Sequence, residues 1–347
     1  MCNKCLGCLL FILLQGYVIF AQNNELQTKL NDFKAKNDFS NWTYEQLDYA
    51  NNHSEKATTL LLNAQKTAWR NSKTDEEHFA WLNLLSTLGY YQLMNGNILG
   101  SINSYESALS FFRKHQLLGY DIVEYTFKPL SNNYTRLGDY ERALYLQKES
   151  IAFQKRYSED ASKIATIYCN MAISYRSMER LADAHKAIEI GFSLKPDAAT
   201  QIMLNNIQAD VLYDEAKYIK AAGVIEDNIR RQKGSDAANA YWLMSSYTTA
   251  GNIYLELKQF GKAKVSFTKA LQLLTKYFNH SRVREKANLY NQIGATLLAE
   301  NKLQEAIFYA NKTLSTLGIS NSKNQIIEKN IFLRSLILPC LVTGDRS

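Results

Sequence analysis

The chain has 347 residues, 46% of them apolar, with only 3 Pro and 15 Gly, which suits a sizeable core and excludes a disordered or collagen-like chain. Its 40 basic and 33 acidic residues leave a net charge of +7, but the signs are interspersed. The densest basic spot, Asn228 to Lys233, is too short for the continuous stripe of a nucleic-acid binder.

At the N-terminus, Lys4 and the free amine precede an apolar run from Leu6 to Phe20, and Ala21 offers a small residue for cleavage before Gln22. The run falls short of the roughly 20 residues needed to cross a bilayer as a helix. Residues 1–21 are therefore predicted to be a signal peptide. The protein is expected to be exported, periplasmic or secreted, and membrane-anchored if the segment is retained. Cys2, Cys5 and Cys8 leave with that peptide, and Cys169 and Cys340 alone build no disulfide framework. A short segment, 22–39, leads to the first predicted helix start, where Thr43 and Gln46 have the spacing of a capping box.

Beyond residue 40, aromatic residues fall among Ala, Leu, Lys, Gln and Glu at helical spacing, and one pattern recurs. In KPLSNNYTRLGDYERALYLQKES, Leu130, Tyr134, Gly138, Tyr140 and Ala143 define it. Upstream, Gly89, Gly96, Ser101, Tyr105 and Ala108 repeat it, after a weaker unit with Ala57, Leu61 and Ala64. Downstream come Ala172, Tyr175 and Ala184; Ala209, Tyr218 and Ala221; Gly251, Tyr254, Phe260, Ala263, Phe267 and Ala270; and Gly294, Leu303 and Ala306. The small residues at 57, 101, 143, 184, 221, 263 and 306 are separated by 44, 42, 41, 37, 42 and 43. Two antiparallel helices approach closely only where such residues face each other. Asp121 with Glu124 marks another helix start, and Pro129 inside a first helix predicts a kink or a late start.

The pattern resembles the tetratricopeptide repeat, in a long form like that of kinesin light chains: the period exceeds the usual ~34 by about one turn per helix. The expected fold is all-α, a right-handed superhelical solenoid of about seven helical hairpins with a ~42-residue period over residues 40–322. Aligning Gly344–Asp345 with Gly138–Asp139 makes 323–347 the first helix of an incomplete eighth repeat. Its Ile327, Ile331, Leu333, Leu336, Ile337 and Leu338 leave little polar surface, so the expectation is either a truncation of something longer or end-to-end self-association through this helix. The repeat from Lys128 to Ser150 also resembles those of bacterial CHAT-domain proteins, in which such an array precedes a caspase-like peptidase. That resemblance implies, as the alternative to a free-standing scaffold, the N-terminal regulatory region of a longer peptidase, or of a signalling protein, since similar arrays also precede sensor kinases and response regulators.

Chemistry is sparse. The five His show no HExxH arrangement, and acids beside His78 suit a helix start. Cys169 reads as a buried or groove-facing thiol, and FGKAK around Gly261 lacks the upstream glycine of a phosphate loop. No catalytic, metal or cofactor site is expected. Tetratricopeptide arrays that grip a C-terminal carboxylate converge a Lys and Asn residues from successive first helices. Lys128, Asn132 and Asn170 match, with Arg136 nearby, but the third repeat has Ile202 and Asn206 where that pattern needs Lys and Arg. These four residues are read as the wall of a peptide groove, and the function as a non-enzymatic scaffold binding a protein or peptide, without nucleic acid or cofactor.

Overall fold

A computed structural model describes residues 25–158, 160–232, 237–278 and 282–318. The apolar run at 6–20 and the eighth-repeat helix expected in 323–347 lie outside the described residues. The chain divides into two compact units between Leu146 and Gln147. Among the described residues every regular element is helical, and no helix is long and apolar enough to cross a membrane.

The first unit holds α1 (25–35), α2 (Phe39–Asn52), α3 (Ser54–Thr67), α4 (Asp75–Met94), α5 (Ile98–His115), a π-helical turn (Val123–Phe127) and α6 (Lys128–Leu137). The division falls within α7 (Tyr140–Tyr157). The second unit continues with α8 (Ala161–Ser177), α9 (Leu181–Ser193), α10 (Ala198–Asp214), α11 (Tyr218–Arg231), α12 (Ala237–Glu256), α13 (Phe260–Phe278), α14 (Val283–Ala299) and α15 (Leu303–Gly318).

The recurring small residues occupy the buried faces of α3, α5, α7, α9, α11, α13 and α15: six are fully buried and Ala306 nearly so. Twelve residues before each, from Ser101 onward, stands another small residue on the preceding helix: Gly89, Ser131, Ala172, Ala209, Gly251 and Gly294. Residue sizes compensate across the hairpins. Where the second helix brings an aromatic ring, as at Tyr105 and Phe267, the first helix has Gly and no room for more: a Cβ on Gly89 would stand 2.9 Å from the Tyr105 ring. Where it brings Ile188 or Ile225, Ala172 and Ala209 fill the gap.

Helix starts follow the expected chemistry with one correction. Thr74, Asp160 and Asp197 cap α4, α8 and α10 through their side chains, with Asp75, Glu76 and Glu77 in the first turn of α4. Thr43, expected to open a helix, lies inside α2, where its hydroxyl donates to the Phe39 carbonyl; Asp38 is the cap instead. The helix begins earlier because Phe39 and Trp42 already belong to its buried face.

A second kind of tie recurs between hairpins. The Tyr254 hydroxyl donates to the Glu226 carboxylate, with Lys262 5.1 Å from the ring centre; Tyr134, Glu106 and Arg142 repeat the arrangement in the first unit. Burial, then the Glu226 carboxylate, pushes the Tyr254 phenol up, so it stays a donor at neutral pH. Tyr254→Phe should lower the unfolding free energy by about 1.5–3 kcal/mol in denaturant titrations, the range for a hydrogen bond to a charged group. An unchanged midpoint would show that the tie contributes nothing.

Candidate functional site

The π-helical turn and α6 shape a cleft of the first unit. Pro129 has no N–H to donate, and an ordinary helix would place its ring against the preceding turn. The chain instead widens: the Lys128 N–H bonds five residues back to the Val123 carbonyl, and α6 runs on with Pro129 in its first turn. The kink or late start expected at Pro129 takes the form of a π turn upstream of it, after which α6 starts at Lys128. Asp121 caps the turn as its spacing with Glu124 predicts, accepting from the Glu124 N–H at 3.1 Å. The Thr126 hydroxyl, fully buried, meets Ser86 of α4 at 3.2 Å and ties the turn to its neighbour.

Between these elements lies a cleft of about 440 Å³. Helix α4 contributes Asn83, Ser86, Thr87 and Tyr90; the π turn and α6 contribute Glu124, Tyr125, Lys128, Pro129 and Asn132. Tyr105, Tyr120 and Asn51 complete the lining. Tyr90 and Tyr125 are about half exposed, at 49% and 58%, whereas Tyr105 and Tyr120 are buried. Burial pushes the Tyr120 phenol up to about 12, against the Ser86 and Thr126 hydroxyls, and raises Tyr105 as well. Both phenols are hydrogen-bond donors at neutral pH.

The charges in the cleft cancel locally. Lys128 Nζ lies 2.7 and 3.0 Å from the two Glu124 carboxylate oxygens. Beneath Asn132, Asn133 donates to Ser101, which donates to the Gly89 carbonyl, so the one polar member of the small-residue series closes a buried network.

Of the four residues singled out from sequence, Lys128 and Asn132 line this cleft together. Arg136, one turn further along α6, is exposed and donates to Asn133 at 3.1 Å. Asn170 is half-buried on α8, in the second unit. Sequence reasoning missed the tyrosines and Asn83. Register could have found some of them: Tyr90 follows Gly89 just as Asn132 follows Ser131, and Asn83 precedes Gly89 by the six residues that separate Tyr125 from Ser131.

The second unit carries a different polar cluster, on α8, α10 and α12. Arg176 pairs with Asp214 at 2.5 and 3.1 Å and with Asp210 at 3.4 Å, while Thr249 donates to Asp210 at 2.9 Å. Burial raises the Asp210 carboxyl and Arg176 opposes it. These groups satisfy one another, so the cluster cross-ties successive first helices. Cys169 nearby is a buried free thiol, pushed up to about 12 by burial, which makes it inert, as its setting in the sequence suggested. Among the described residues, no three His, Cys, Asp or Glu side chains gather as a metal-binding group.

Two tetratricopeptide-repeat family models match the chain, one over residues 130–160 and one over 245–273. No curated protein matches it. Among solved structures, a tetratricopeptide repeat protein from Parabacteroides merdae ATCC 43184 is 18% identical with a TM-score of 0.53, covering 89% of this chain and 97% of that one. The apo form of RapI is 16% identical with a TM-score of 0.50, over 90% of this chain and 81% of that one. The APC/C hetero-tetramer Cut9–Hcn1 gives 12% identity and a TM-score of 0.52, over 89% of this chain but only 55% of that one. At such identities the likeness is one of fold. Residues 130–160 and 245–273 are tetratricopeptide repeats, and the all-helical chain around them has the fold of tetratricopeptide-repeat proteins.

Proposed function

We propose that the protein is an exported, non-enzymatic scaffold whose first unit docks a peptide segment of a partner protein in the cleft between α4 and α6. The observation that carries this reading is the cleft itself. Its volume of about 440 Å³ lies within the roughly 300–1,000 Å³ usual for binding sites, and it is walled by aromatic rings with a few amides and hydroxyls. The adjoining π turn strengthens it, because such turns recur at functional sites. Lys128 and Asn132 belong to this wall; Arg136 extends the same helix face. Export rests on the N-terminal 21 residues, and self-association on the apolar helix expected in 323–347. An alternative, in which the array regulates a CHAT-type peptidase, rests on the repeat from Lys128 to Ser150.

A phage-displayed random peptide library selected on the wild-type protein tests the docking reading. Recovered peptides should bind at least ~10-fold more weakly to Asn132→Ala or Tyr125→Ala variants, the loss expected when a central contact is removed. Failure to enrich any peptide, or equal binding to both variants, would remove the cleft as the docking site.

A further inference from the structure

We infer that the occupant of this cleft is an uncharged, proline-containing extended segment rather than a free C-terminal carboxylate; this rests on the docking reading above. Three observations converge. The first is charge. The only ionised side chains in the lining are Lys128 and Glu124, and they are spent on each other at 2.7 and 3.0 Å. A ligand carboxylate approaching the ammonium would also meet the Glu124 carboxylate beside it, so the pair offers an anion no net charge.

The second is the balance of donors and acceptors. The Asn51 carbonyl oxygen accepts from the Tyr91 hydroxyl at 3.1 Å, and its amide group is also a donor. The lining supplies Asn83 and Asn132 amides and tyrosine hydroxyls, while its one carboxylate is engaged by Lys128. Amides and hydroxyls both donate and accept, so this wall can donate to the bare carbonyls of an extended backbone. A proline-bearing chain in the polyproline conformation is that backbone: it has no internal hydrogen bonds, and each prolyl residue lacks the N–H.

The third is the aromatic surface. Tyr90 and Tyr125, both in the lining, are about half exposed, and Tyr125 lies beside Tyr120 with ring centres 5.8 Å apart. Prolyl rings dock on open aromatic faces, and the stiffness of the segment keeps its ordering cost low.

The probe is fluorescein-labelled decaproline with an amidated C-terminus, titrated by fluorescence anisotropy. A capped Gly-Ser peptide of the same length and a peptide ending in a free aspartyl-valine carboxylate serve as comparisons. Decaproline should bind more tightly than both. Its affinity should fall at least ~10-fold in Tyr90→Ala and in Tyr125→Ala. It should change less than about twofold between roughly 50 and 300 mM salt, because no ion pair forms. Both tyrosines are half exposed, so the variants should keep the wild-type circular dichroism and melting midpoint.

Decaproline binding no better than the Gly-Ser peptide, or binding unaffected by either substitution, would overturn the inference. Tighter binding of the carboxylate peptide, lost in Lys128→Ala, would also overturn it while leaving peptide docking in this cleft intact. Library peptides that need Tyr125 but lack proline would do the same.

Discussion

Replacing Glu77 by Gln should cost about 3 kcal/mol at neutral pH, and almost nothing at pH 2. The reason lies at the start of the first unit. Arg70 forks onto Glu77 at 2.7 and 2.8 Å, and its guanidinium lies 5.0 Å from the Phe39 ring centre and 5.6 Å from that of Trp69. Its remaining donors reach the Asn37 side chain and carbonyl, and Glu77 also accepts from the Lys73 N–H at 2.7 Å. Both side chains are about seven-eighths buried, at 13% and 12% exposure, so the pair is far from an ordinary surface bridge. The Arg70 bond, ahead of the opposing cost of burial, holds the Glu77 carboxyl down at about 2.

The sign follows from linkage. The unfolded carboxyl titrates near 4.3, well above its folded value. Above that pH both states are ionised and the full stabilisation is present. As pH falls toward 2 the unfolded chain takes up its proton first, and the stabilisation drains away. Urea unfolding of wild type and Glu77→Gln at pH 7, 4 and 2 should therefore show a gap of about 3 kcal/mol that narrows and closes. A gap that stays constant with pH would mean that Glu77 acts through packing alone.

Much of the fold was legible because a repeat needs small residues at fixed spacing. Ala57, Ser101, Ala143, Ala184, Ala221, Ala263 and Ala306 were found by arithmetic on the sequence, and all seven are buried. The site was less legible. Lys128 and Asn132 were placed on one wall because register alone puts them there. Asn170, joined to them by the register of the next repeat, lies in the other unit. The pairing of Lys128 with Glu124, by contrast, has the i,i+4 spacing that sequence can show. Proline announces a disturbance; whether the chain answers with a kink, a late start or a π turn depends on tertiary partners such as Ser86 and Thr126. The same holds for α2: Thr43 with Gln46 satisfies the local rule for a helix start, but burial of Phe39 and Trp42 moved the start upstream.

The hairpin of α12 and α13 sets a tight limit on sequence change. A Cβ built on Gly251 would stand 2.6 Å from Cδ1 and 2.7 Å from Cζ of Phe267, distances that real contacts essentially never show. The ring cannot retreat: Phe267 is wholly buried, in a core with Ala263, Ile253 and Ala270. Gly251→Ala should thus force the two helices apart or the ring off its rotamer. Overpacking of this kind costs about 1–3 kcal/mol and outweighs the smaller gain in helix propensity. A net loss of about 2 kcal/mol would lower the melting temperature of the second unit by roughly 4–8 °C. Gly223, on the exposed face of α11 with nothing within 4 Å of its would-be Cβ, separates the steric argument from the propensity one. Gly223→Ala should raise stability by about 0.5–1 kcal/mol, since only backbone freedom in the unfolded chain changes. Opposite signs for these two substitutions, read by calorimetry, would locate the constraint in the helix–helix contact. Two stabilising substitutions would mean that α12 and α13 can part without cost, and that the small residue recurring along this chain is not what closes its hairpins.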